Sequence, residues 1–138
     1  MSERLKIRLY EGWRPVENKG GPATYVCGDS CLQFSQIQHT KGPLPIDLEG
    51  LVEMYEKFTR KIRGRRDLVS GSGKCELGIF GTVVAKGDSP AYVQVWMLSN
   101  KIDFILITHI SDIEPTPQEI TQARSIAEMT TLGPQRVQ

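Results

Sequence analysis

The stretch that decides the fold runs from Cys75 to Leu132. It reads Cys75-Glu76-Leu77-Gly78-Ile79-Phe80-Gly81-Thr82-Val83-Val84, then Ala91-Tyr92-Val93-Gln94-Val95-Trp96-Met97-Leu98, then Phe104-Ile105-Leu106-Ile107-Thr108-His109-Ile110, then a helical segment. Three strand-length runs rich in β-branched and aromatic residues, joined by short polar connections, predict an antiparallel meander. The third run is apolar at nearly every position. The second carries Tyr92, Trp96 and Leu98 on one side and Val93, Val95 and Met97 on the other. A strand buried on one face alternates, whereas these do not, so the sheet is expected to be covered on both faces, by one helix on each. Gly78 and Gly81 predict bulges or close backbone approaches in the first run.

Working outward, the segment after the meander opens with Thr116-Pro117-Gln118-Glu119, a capping box with proline at the first helical position. Ile120, Ala123, Ile126, Ala127 and Thr130 form its inner face, and Gly133-Pro134 is the expected stop. Residues 134–138 are expected to be a frayed tail. A second helix is predicted from Asp47, where Leu48, Leu51, Val52, Tyr55, Phe58, Thr59 and Ile62 follow the i, i+3, i+4, i+7 rule up to Gly64.

Nearer the start, Leu5-Lys6-Ile7-Arg8-Leu9 alternates as a half-buried edge strand does. Glu11 to Val16 ends it. Gly28-Asp29-Ser30 then separates Tyr25-Val26-Cys27 from Cys31 to Ile37, a good hairpin signal because Gly and Asp tolerate positive φ. The expectation is a single α+β domain over residues 1–138. It has a central antiparallel sheet of five to six strands and two main helices.

Bulk composition excludes several functions. With 39% hydrophobic and 24% charged residues, the 138-residue chain reads as one globular domain. Its 17 basic and 16 acidic residues give a net charge of +1, with no global bias toward nucleic acid or anionic membrane. Met1 to Arg8 lacks the apolar core of a secretory signal, and no apolar run approaches the ~20 residues that span a bilayer. Three cysteines cannot complete an intrachain disulfide framework, so reduced thiols and a cytoplasmic location are expected.

Several strings together resemble small, uncharacterised bacterial proteins of the PsbP/Mog-like α/β sandwich type. They are Glu11-Gly12-Trp13, Gly28 to Ser35, Gly78 to Gly81, Val95 to Asn100, Asp103 to Thr108, and Glu114-Pro115 before the capped helix. Better-known relatives of that fold include a photosystem extrinsic subunit, a Ran-binding transport factor and chaperone-like adaptors of bacterial secretion systems. The resemblance implies a non-enzymatic domain acting through its surfaces. These strings are turns, strands and caps, and no partner-binding residue transfers with them.

No chemical motif stands above background. Lys57, Arg60, Lys61, Arg63, Arg65 and Arg66 form a basic run that could contact phosphates or an acidic partner. Helix electrostatics explain it as well: Asp47, Glu49, Glu53 and Glu56 occupy the N-terminal half of the same predicted helix, where the macrodipole favours acids. Cys27, Cys31, Cys75, His39 and His109 include one loose pair, short of the two close pairs a structural zinc site uses. Cys31 or Cys75 with His109 and Asp103 or Asp112 holds the residue types for thiolate chemistry, but neither cysteine has a local signal for a lowered pKa. Ser70-Gly71-Ser72-Gly73-Lys74 lacks phosphate-loop spacing and reads as a flexible connector. Tyr92 and Trp96 would form a partner-binding patch on an uncovered sheet face, or core under a helix.

The expected function is therefore a non-enzymatic intracellular protein-interaction domain, of adaptor, chaperone-like or immunity type. Its candidate contacts are the basic run and the Tyr92/Trp96 face. No catalytic residue, metal or cofactor is expected, and neither is a membrane. The alternatives are a small-molecule binder or enzyme with its site between sheet and helix, and nucleic-acid binding through residues 57–66.

Overall fold

The computed structural model describes residues 5–17, 21–37, 67–88, 90–100 and 103–133. In chain order the elements are β1 (Leu5–Lys6), β2 (Arg14–Val16), β3 (Ala23–Cys27), β4 (Ser30–Ile37), β5 (Asp67–Lys74), β6 (Ile79–Lys86), β7 (Tyr92–Ser99), β8 (Phe104–Ser111), α1 (Pro117–Met129) and β9 (Thr131–Leu132). Seven strands form one sheet in the order β2-β3-β4-β8-β7-β6-β5, and β1 pairs with β9 in a separate two-stranded clasp. Every pairing is antiparallel.

The meander is present as β6-β7-β8, and β7 is buried at all eight positions, as its two-sided apolar pattern requires. The β3–β4 hairpin closes on the Cys27–Ser30 pair, with Gly28 at φ +60° in the turn between them. The capping box is complete: the Glu119 amide donates to Thr116 Oγ1 at 3.1 Å and the Thr116 amide to Glu119 Oε1 at 2.9 Å.

The expected sheet of five to six strands under two main helices is corrected. Among the described residues the main sheet has seven strands, β-structure predominates, and there is one helix. The predicted helix from Asp47 to Ile62 and the tail 134–138 lie outside the described residues. The two additional strands are β2 and β5. Pro15 in one and the Gly/Ser composition of the other lower intrinsic β-propensity, and the ladders to β3 and β6 override it. Ser70 to Lys74 is thus strand, not connector, and Cys75 to Gly78 is the turn that joins β5 to β6. The strand begun at Leu5 is no edge of the main sheet, since it pairs Leu5 with Leu132 and Lys6 with Thr131. The helix stops before Gly133: Thr130 is already extended and its hydroxyl donates to the Ile126 carbonyl at 2.6 Å.

Gly78 is a close approach, because a Cβ there would lie 2.4 Å from the Ser99 carbonyl oxygen. Gly81, by contrast, is a regular ladder position between Ser72 and Met97, with no bulge.

Two apolar clusters lie on opposite faces of the sheet. On the helix side, Ala123, Ile126 and Ala127 of α1 pack with Trp13, Leu32, Phe34, Trp96, Leu98, Ile105 and Ile107. On the other side Val83, Ala85, Val93, Val95, Met97 and Phe104 are buried together. Each large side chain fully buried in this way contributes roughly 1.5–3 kcal/mol.

Candidate functional site

Strand register sorts the candidate residues by face, because directly paired residues of antiparallel strands point the same way. Leu32, His109, Gln94, Val84 and Val69 form one row across the helix-side face. Ser30, Ser111, Tyr92 and Lys86 form the row beside it. Cys31 pairs with Ile110 and so lies on the opposite face from His109. Cys75, in the β5–β6 turn, is six residues beyond Val69, roughly 20 Å along the strand direction at about 3.3 Å per residue. The register therefore separates both cysteines from the histidine. It also separates Cys27, paired with Ser30, from Cys31, paired with Val26. Burial raises the pKa of all three thiols, with Glu119 adding to the rise at Cys27 and Glu128 and Glu76 to that at Cys75, where hydrogen bonding partly offsets it. Among the described residues no group of three metal-ligating side chains converges.

His109 instead meets Ser30, whose Oγ lies 2.9 Å from its Nε2. Its ring is flanked by Tyr92 at 5.1 Å and Trp13 at 6.2 Å. Trp13 is held there by its indole N–H, which donates to Gln122 of α1 at 3.0 Å. Burial alone lowers the His109 pKa to about 4, so the ring is neutral at pH 7. Among the described residues Nδ1 has no hydrogen-bond partner, and no carboxylate there orients it as a catalytic pair would need. Asp103 sits at the far end of β8, where its amide donates to Asn100 Oδ1 at 2.7 Å. Asp112 is exposed beyond the strand.

A polar chain runs from Tyr92 toward the open edge. Tyr92 donates its hydroxyl to Gln94 Oε1 at 2.9 Å, and Gln94 Nε2 donates to Thr82 Oγ1 at 3.0 Å. Thr82 donates onward to the Val95 carbonyl at 2.8 Å. Burial pushes the Tyr92 pKa up to about 12, which keeps the phenol protonated as a donor. Tyr92 and Trp96 are 2% and 0% exposed, so in this fold they are core side chains rather than surface. The basic residues Lys57, Arg60, Lys61, Arg63, Arg65 and Arg66 lie outside the described residues.

Beyond Thr82 the cover ends. The β6 residues that face the helix side, Phe80, Thr82, Val84 and Lys86, are half-buried, while Gly81, Val83 and Ala85 on its other face are buried. Next to them on β5, Val69 is 63% exposed and Gly71 and Gly73 are exposed. The Phe80 ring leans across Gly73, where a Cβ would stand 3.0 Å from Cε1. The result is a shallow shelf with an apolar floor, bounded by the Tyr92–Gln94–Thr82 chain on one side and by β5, the last strand of the sheet among the described residues, on the other.

Sequence reasoning missed Ser30 and this shelf. Ser30 reads as a turn residue until the β4–β8 register is known, and the shelf exists only because β5 is a strand.

Comparison with solved structures fits this topology. The chain has a PsbP-like fold. The cyanobacterial PsbP (CyanoP) of Synechocystis sp. PCC 6803 superposes with a TM-score of 0.61 at 12% identity, over 94% of this chain and 92% of that one. LpqN, involved in cell envelope biogenesis of Mycobacterium tuberculosis, superposes with a TM-score of 0.64 at 12% identity, over 94% and 83%. No family model and no curated protein matches the chain. At this identity the PsbP-like likeness carries the fold alone. Among the described residues no helix is long and apolar enough to cross a membrane.

Proposed function

We propose that this PsbP-like domain is a non-enzymatic protein-interaction module whose working surface is the β6–β5 shelf. The observation that carries the reading is the unequal cover of one sheet face. Trp96 and Leu98 are fully buried beneath α1, while Val69 is 63% exposed and Phe80 and Val84 are half-buried on the same face. Apolar side chains left on a flat floor beside a polar margin suit a protein segment better than a small metabolite. The buried polar groups support a binding role: His109 is held neutral, has no orienting acid among the described residues, and is walled in by Trp13 and Tyr92. Three free thiols, with Cys27 and Cys31 on opposite faces of the β3–β4 hairpin, fit a reducing compartment, and a cytoplasmic location is proposed on that basis.

The test is affinity capture from native lysate with wild-type protein and a Val84→Glu variant of matched thermal stability. A stoichiometric partner held by wild type and lost with Val84→Glu supports the reading. Turnover of any substrate that depends on Ser30 or His109 overturns it.

A small-molecule site between α1 and the sheet is the second reading. It is favoured by two buried nitrogens with no partner among the described residues, His109 Nδ1 and Trp96 Nε1, at diagonal positions of adjacent strands. A ligand there would raise the melting temperature of wild type and leave a Trp96→Phe variant unmoved.

A further inference from the structure

The two edges of the seven-stranded sheet are built differently. β2 is three residues long and contains Pro15, which has no N–H to offer, so this edge is blunted against further pairing. β5 is eight residues long, contains no proline, and is exposed at Val69 and from Gly71 to Lys74. Among the described residues no strand pairs with its outer side, and such an edge presents a row of main-chain donors and acceptors ready for another strand.

The centre of β5, Ser70-Gly71-Ser72, reads the same in both directions. We propose that β5 pairs with β5 of a second copy of this chain, antiparallel about a two-fold axis at Gly71, so that two seven-stranded sheets become continuous. A two-fold axis normal to the sheet pairs each residue with one of equal parity, which keeps corresponding faces together. Centred on Gly71, it sets Val69 of each copy opposite Gly73 of the other. Gly73 has no side chain and lies under the edge of the Phe80 ring, so the exposed valine lands against an aromatic with nothing in between. At Gly71 the two main chains meet with no side chain on either. The two shelves then join into one floor across the axis. This inference does not rest on the partner reading above, since the pairing uses main chain and Val69 whether or not the shelf holds a further protein.

The test is sedimentation of the full chain over a concentration series, with cysteine cross-linking. Wild type is expected as a concentration-dependent dimer. Val69→Lys, at an exposed position, should retain its melting temperature at low concentration and weaken dimerisation at least tenfold. Gly71→Cys has room for its side chain, because the nearest atom to the added Cβ is Thr82 Cγ2 at 3.7 Å. On the axis its Cα lies about 4.5–5.5 Å from its mate, within disulfide reach, so oxidation should give a covalent dimer. Lys74→Cys, whose mate would lie roughly 20 Å away along the strand, should not cross-link. A monomer at every concentration overturns the proposal. So does equal cross-linking of both cysteine variants, or protection of the β5 amides that requires a different protein.

Discussion

Trp96 and Val69 stand on the same face of the same sheet, four strands from one edge and at the other, and they live in different environments. Trp96 is fully buried, packed with Leu98, Ile107 and Ile126. Val69 is 63% exposed at a strand with no outer neighbour among the described residues. Sheet and helix are the same for both. What differs is where the cover stops, and the hydrogen-bonded chain Tyr92–Gln94–Thr82 marks the line. The covered part is where folding energy is concentrated, and the open part is free to serve binding. Stability measurements on the two parts should therefore separate sharply.

The largest effect belongs to the covered part. Trp96→Ala removes a fully buried indole and should cost roughly 3–5 kcal/mol in urea unfolding. A loss below about 1 kcal/mol would erase the contrast. Acid comes next. His109 is surrounded by the uncharged Trp13, Tyr92, Ser30, Leu32 and Gln94, and its proton is taken up near pH 6.5 when unfolded but only near pH 4 when folded. Between those values the unfolded chain binds more protons, so stability is complete above pH 6.5 and declines as pH falls toward 4. The whole decline should be about 3 kcal/mol, from about 1.4 kcal/mol per pH unit of displacement. A His109→Gln variant should show a flatter dependence in the same window, which unfolding at a series of pH values will read.

Smaller effects sharpen the boundary. Thr116→Ala removes the cap of the helix that provides the cover and should cost about 1 kcal/mol, measured by thermal unfolding. Val69→Ser on the shelf should change monomer stability by less than about 0.5 kcal/mol at low concentration. A larger loss would mean that the shelf is core.

Much of the covered part was legible in the sequence, because its signals are local. Thr116-Pro117-Gln118-Glu119 predicts the cap that forms, the apolar runs predict β7 and β8, and Gly28-Asp29 predicts the hairpin. The open part was not legible. Ser70-Gly71-Ser72-Gly73 has the composition of a linker, and only the ladder to β6, with its eight paired residues, makes it a strand. Pro15 hid β2 in the same way. The site suffered from a related blindness. Residue types suggested Cys31 with His109, but strand parity puts them on opposite faces and puts Ser30 within reach instead.

The β1–β9 clasp has a mechanical consequence. Leu5 pairs with Leu132 and Lys6 with Thr131, so whatever precedes Leu5 and whatever follows Leu132 leave the domain from adjacent points. Tension applied through those two flanks opens the clasp one pair at a time instead of shearing both pairs together. The clasp should therefore part at low force and leave the seven-stranded sheet intact behind it. A tethered copy of the domain would lengthen by a short, reversible step before it unfolds.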